Sequence, residues 1–185
     1  MKETTNYLTW NNFLSAQRCA EIIDQYYQQD AAKSALVADS NNPMLSFRKT
    51  EVCWIPSTDE ISLQLFNKAL IANTKAGWGF DIDNSEKTQI AKYEVGGHYE
   101  WHADEAFYHR FRGWHRKVST VVFLSDPSTY TGGEFLFDTV SGPLKIEAEM
   151  GTVICFPSEV RHKVAPVTSG VRYSLVSWAT GPLMF

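Results

Sequence analysis

The stretch Gln89–Asp104, QIAKYEVGGHYEWHAD, decides the fold and carries the first chemical signal. Its opening residues read as a strand over Thr88–Glu94, Gly96-Gly97 marks a turn, and His98–Ala103 reads as a second strand. His102 and Asp104 are two residues apart, and such residues point to one face of a strand, so a single element offers an imidazole and a carboxylate to one ion. His98 and Glu100 share that face by the same alternation. Strand geometry alone leaves both pairs open.

Downstream the same punctuation continues. Strands are expected at Val118–Ser125, Glu134–Asp138, Thr152–Phe156, His162–Val167 and Val171–Thr180, with Gly132-Gly133, Ser141-Gly142-Pro143 and Ser169-Gly170 between them. Upstream, Phe13–Gln29 begins near the capping residue Ser15 and repeats Cys19, Ile22, Ile23 and Tyr26 at helical spacing. Ile61–Ala76 repeats Ile61, Leu65, Ala69 and Ala72, and Arg48–Ile55 reads as a strand. Asp30–Ser46 has no period and is expected to be a mobile surface loop. The pattern predicts one domain over residues 1–185 and a mostly β fold. The expected architecture is a double-stranded β-helix, or jelly roll, with two N-terminal helices packed on one sheet.

Composition narrows the function classes. The 185 residues are 44% hydrophobic and 14% aromatic, enough for a packed core and too evenly spread for a membrane span. A formal charge of -4 without a long like-charge block gives no footprint for nucleic acid. The N-terminal MKETTNYLTWNNF shows no secretory signal. Cys19, Cys53 and Cys155 are widely spaced and in no C-x-x-C pattern, which argues against a disulfide framework and a zinc knuckle and for a reducing cytoplasm.

A third ligand has few sources. His162 follows the apolar run TVICF and is the only histidine after His115, so the ligand comes from it or from the loop histidines. Arg172 opens the last strand after Ser169-Gly170. Its guanidinium offers paired donors that match a carboxylate, which a lysine point charge does not. Two imidazoles and one carboxylate leave three metal positions open, the arrangement of non-haem Fe(II) oxygenases.

Taken with VSTVVFLSDPSTYTGGEFLF and GTVICFPSEVRHKVAPVTSGVRYSLVSW, the stretch QIAKYEVGGHYEWHAD resembles the prolyl 4-hydroxylase-type branch of the 2-oxoglutarate- and Fe(II)-dependent oxygenases. The likeness spans Arg48–Trp178. It implies that His102, Asp104 and His162 hold iron, that Arg172 and Tyr93 bind the far carboxylate of 2-oxoglutarate, and that Tyr99 and Trp178 line the substrate pocket. Ser174 completes an Arg-x-Ser arrangement, and Arg116 or Lys117 aligns with a substrate-contacting arginine. The resemblance further implies Fe(II), 2-oxoglutarate and O2, with ascorbate as an auxiliary, and hydroxylation of an unactivated C–H bond of a prolyl residue in a protein or peptide. A small-molecule or free amino acid hydroxylase is one alternative. A non-catalytic jelly-roll binding module that retains a metal, and a zinc hydrolase on the same ligands, are others. The basic stretch HRFRGWHRK is expected to be a loop beside the iron, and Glu105–Lys117 and Asp30–Ser46 are the candidate lids.

Overall fold

The computed structural model describes residues 6–28, 35–36, 46–105 and 114–182. In chain order these form β1 (Leu8–Trp10), α1 (Ala16–Ile23), β2 (Ala35–Leu36), β3 (Arg48–Lys49), β4 (Glu51–Ile55), α2 (Glu60–Ala76), β5 (Asn84–Ser85), β6 (Thr88–Tyr93) and β7 (His98–His102). There follow β8 (Trp114–Phe123), β9 (Thr131–Gly132), β10 (Phe135–Phe137), β11 (Leu144–Lys145), β12 (Val153–Pro157), β13 (His162–Val164), β14 (Val167–Ser169) and β15 (Arg172–Pro182). The larger sheet runs β1-β12-β8-β15-β6-β4-β2 with β5 paired to β15, the smaller runs β11-β10-β13-β7-β3, and β9 pairs β14. The result is the expected mostly β jelly roll.

Strand alternation sorts the apolar side chains into two cores. Ile55, Ile90, Val118, Val122, Cys155 and Leu175 pack against the helical residues Cys19, Ile22, Ile61, Leu65 and Ala69. Their neighbours Val52, Ala91, Val121, Phe123 and Phe156 point the other way and meet Phe135, Phe137 and Val164 of the small sheet. Period-2 alternation therefore survives inside runs that look uniformly apolar, because both faces of the large sheet are covered.

The helices start where side-chain oxygens meet free backbone donors. Ser15 Oγ accepts from Arg18 N at 3.1 Å, and Asp59 Oδ1 accepts from Ile61 N at 3.1 Å. Tyr26 Oη donates to Asp59 Oδ2 at 2.8 Å, joining the end of the first helical segment to the cap of the second. Helix α2 stops at Gly77, whose φ of 70° is the left-handed geometry glycine adopts without strain. The first segment continues as a π-helical turn over Asp24–Gln28, within the expected span.

Four expectations need correction, the first being His162–Val167, where β13 joins the small sheet and β14 pairs with β9 instead. Arg48–Ile55 is not one strand: β3 pairs with β7 in the small sheet and β4 pairs with β6 in the large one. Strands β6 and β7 diverge into separate sheets after the Gly96-Gly97 turn, so the strands paired with them must diverge too, and buried Thr50 sits at the split with Oγ1 donating to Lys92 O at 2.8 Å. Trp114, His115, Arg116 and Lys117 are not loop residues but the first turn-free part of β8, paired with the end of β15 from Thr180 to Pro182 at all but Lys117. Of the expected Asp30–Ser46 loop, Ala35–Leu36 adds to β4 as an edge, while 30–34, 37–45 and 106–113 lie outside the described residues.

Leu65 is fully buried under the large sheet, whereas Leu63 on the same helix is 53% exposed. Leu65→Ala should cost about 2–5 kcal/mol of unfolding free energy, and Leu63→Ala no more than about 0.5 kcal/mol. Chemical denaturation of the two variants beside wild type checks the difference.

Candidate metal centre

Strand β7 ends at His102, Asp104 follows it, and β13 begins at His162, which pairs directly opposite His102. Two antiparallel neighbours thus deliver three ligands to one point. His102 Nε2 lies 3.7 Å from Asp104 Oδ1, and His162 Nε2 lies 3.6 Å from Asp104 Oδ2. Metal bonds of about 2 Å bridge ligand atoms up to roughly 4 Å apart, so the three groups fit a single ion. Among the described residues they are the one cluster of metal-ligating side chains this tight.

The backbone sets which nitrogen faces the ion. His102 Nδ1 lies 2.7 Å from Glu100 O, and His162 Nδ1 lies 2.9 Å from Val160 O. A carbonyl only accepts, so each Nδ1 carries a proton and each ring turns its Nε2 toward Asp104. Burial pushes the His102 pKa down to about 4, helped by the neighbouring His162, which keeps that ring a ligand at neutral pH. For Asp104, burial raises the pKa but is outweighed by His162, His102, Arg116 and the Ser119 hydrogen bond, leaving the carboxyl below its ordinary value. Ser119 Oγ donates to Asp104 Oδ2 at 2.7 Å and lies 2.9 Å from Ser158 Oγ. Ser119 was not singled out by the sequence reading; its signal is a hydroxyl that shares the inner face of β8 with Val121 and Phe123.

A β-bulge resolves the two candidate pairs. Between His162 and Val164 β13 advances two residues, while β7 advances three, from His102 back to Tyr99. Glu100 and Trp101 therefore both oppose Lys163, whose Nζ is 3.4 Å from Glu100 Oε2 and 5.4 Å from the Trp101 ring. The expected shared face of His98, Glu100 and His102 is lost. His98 instead contacts the carbonyls of Gly96 and Ser46, and Tyr99 turns inward to stack on His102 at 3.5 Å.

Across the gap the large sheet supplies a cation. Arg172 is 1% exposed and pairs with Tyr93, over whose ring its Cζ lies 5.3 Å from the centroid. Its Nη1 donates to Ser174 Oγ at 3.3 Å, while Nε and Nη2 have no partner among the described residues. A buried charge left half satisfied is costly, and one guanidinium edge with two free donors is shaped for a carboxylate. The far carboxylate of a bound 2-oxoglutarate would meet that requirement. Gly133 lets the arginine stem pass: a Cβ there would lie 2.9 Å from Arg172 Cδ.

Triad, Arg172, Tyr93, Tyr99 and Trp178 line one cavity of about 140 Å3. Trp178 is 5% exposed, with its indole N–H buried and unpartnered among the described residues. Arg116 also lines the cavity but is held: Nε and Nη2 donate to Glu86 at 2.7 and 2.6 Å, and Cζ sits 3.8 Å over the Trp178 ring. It braces the pocket wall. Iron bound at the triad would supply the dioxygen chemistry, with 2-oxoglutarate as co-substrate.

The sequence profile of the 2OG-Fe(II) oxygenase superfamily matches residues 88–180, and the chain belongs to that superfamily. A PKHD-type hydroxylase of Synechococcus sp. (strain CC9902) is 42% identical over 89 residues, 48% of this chain and 39% of that relative. The chain thus spans about two fifths of the length of such relatives (39%). One from Crocosphaera subtropica is 25% identical over 92% of this chain and 77% of its own length. Among solved structures, a Pseudomonas putida prolyl-4-hydroxylase superposes with a TM-score of 0.71 at 21% identity, covering 95% of this chain and 92% of that one. A prolyl hydroxylase from Trichoplax adhaerens, in complex with a hypoxia inducible factor peptide, gives 0.72 at 19% identity, covering 95% and 84%. Both share the jelly-roll fold.

Anaerobic Fe(II) and 2-oxoglutarate should give a visible charge-transfer band that His162→Ala abolishes. Arg172→Ala should weaken 2-oxoglutarate binding by roughly 30-fold or more, since it removes one partner of a buried ion pair. Ser119→Ala, which only frees Asp104, should weaken metal binding by about 10–100-fold. Titrations followed by that band separate the three effects.

Proposed function

We propose that this protein is a 2-oxoglutarate- and Fe(II)-dependent dioxygenase that hydroxylates a prolyl residue in a protein or peptide. The observation that carries the reading is the buried, half-satisfied Arg172 facing the same cavity as a complete His-Asp-His ligand set. A silent binding module or a zinc hydrolase has no use for a desolvated guanidinium beside its metal, where it costs stability. In the net reaction a substrate C–H, O2 and 2-oxoglutarate give the alcohol, succinate and carbon dioxide. The chain's part is to orient: Arg172 holds the far carboxylate, the histidines keep their Nδ1 protons on backbone carbonyls, and Tyr99, Phe135 and Val164 exclude water.

Support for a prolyl substrate comes from the aromatic walls Tyr99 and Trp178, which offer flat apolar surfaces to a saturated ring, and from the likeness to prolyl hydroxylases. The Trichoplax protein is described with a bound peptide. We also infer a reducing compartment, the cytoplasm, because all three cysteines are free and buried.

Incubating peptides from a whole-proteome digest with the enzyme, Fe(II), 2-oxoglutarate, ascorbate and heavy-isotope O2 tests the reading. Labelled oxygen on prolyl residues, lost in Asp104→Ala, is expected. Label confined to other residues, or succinate formed with no labelled peptide under any substrate, would overturn the prolyl assignment.

A further inference from the structure

Arg48 places a third guanidinium in the cavity, beside those of Arg172 and Arg116, and the chemistry above leaves it without work. It lies in β3 directly opposite Tyr99, and its Cζ is 4.5 Å from that ring's centroid. Tyr99 stacks on the ligand His102, so the charge lies one ring removed from the metal position. Its Nε and Nη2 are buried and have no hydrogen-bond partner among the described residues.

Those two nitrogens form the guanidinium edge that meets a carboxylate with parallel N–H···O bonds. Arg172 leaves the same edge free. The other cation of the cavity, Arg116, has that edge filled by Glu86. One 2-oxoglutarate would supply two carboxylates, one for Arg172 and one for a metal held by His102, Asp104 and His162. None is left for Arg48.

We infer that Arg48 receives a carboxylate of the substrate, so that the preferred substrate carries a negative charge close to the carbon being hydroxylated. This rests on the dioxygenase reading and deepens it. The carboxylate has two sources, the α-carboxylate of a free or C-terminal proline, or an acidic side chain beside an internal prolyl residue. Tyr99 aligns the guanidinium plane, and Arg rather than Lys is required because the recognition is bidentate.

The test uses the anaerobic Fe(II)·2-oxoglutarate complex and reads binding from calorimetry and from the shift of the charge-transfer band. Three probe pairs differ only in charge: L-proline with L-prolinamide, a blocked Pro-Asp peptide with its Pro-Asn counterpart, and L-leucine with L-leucinamide. In wild type the acid of at least one pair should bind roughly tenfold or more tightly than its partner, as a charge-assisted bond implies. Arg48→Gln should level that pair, and Arg48→Lys should restore only part of the preference. Both variants should still form the band, and if Arg48→Gln does not, Arg48→Lys alone carries the comparison. Preference in the first pair assigns the α-carboxylate, and in the second the acidic side chain. Preference confined to leucine, with the prolyl probes unbound, keeps the role of Arg48 and overturns the prolyl reading. Prolyl probes that bind without preference, acids that bind no better than amides in every pair, or a preference that survives in Arg48→Gln would overturn the inference.

Discussion

The large sheet is buried on both faces, and the rest of the structure follows from that constraint. Its outer face rests on α1 and α2 through Ile90, Val122, Cys155 and Leu175, which holds β15 and its neighbours rigid. Its inner face is closed by the small sheet, except where Arg172, Ser174, Val176 and Trp178 line the cavity. One central strand thus packs the core with one set of alternating residues and furnishes the site with the other. The metal ligands come from the opposite wall. Substrate and co-substrate must therefore sit between sheets whose spacing is set by aromatic packing of Phe123, Phe135, Phe137 and Phe156.

That enclosure is what makes the polar groups potent. Away from water, an unmet N–H on Arg172 or Arg48 is expensive, and a carboxylate that meets it recovers more than it would at the surface. The same dry surroundings hold His102 in its neutral form. The site is stable only because its neighbours over-determine it: His102 between Tyr99 and His162, and His162 against Phe135 and Phe156.

Legibility in the sequence varied with the physics behind each feature. Helix α2 was readable because its apolar stripe, Ile61, Leu65, Ala69 and Ala72, is local. Strands β6, β12 and β15 were readable for the same reason, as runs between glycine or polar breaks. The division of Arg48–Ile55 between two sheets had no local signal, because it follows the divergence of β6 and β7. Strand β1 contributes three residues, Leu8–Trp10, too few to show a period. That β8 begins at Trp114 was hidden because Trp114 to Arg116 are strand-forming only against the end of β15.

The sequence by itself determined the candidate ligands, the turn glycines and the alternating strands, since these depend on spacing along the chain. Only the tertiary structure decided which groups have partners. A bulge in β7, which exists only against β13, turns Tyr99 inward and Glu100 outward. Arg116 and Arg48 are equal as letters, yet folding gives one a carboxylate in Glu86 and leaves the other's Nε and Nη2 unmatched among the described residues. Hydrogen bonds and desolvation depend on distances between segments far apart in the chain, and those distances are properties of the packed sheets.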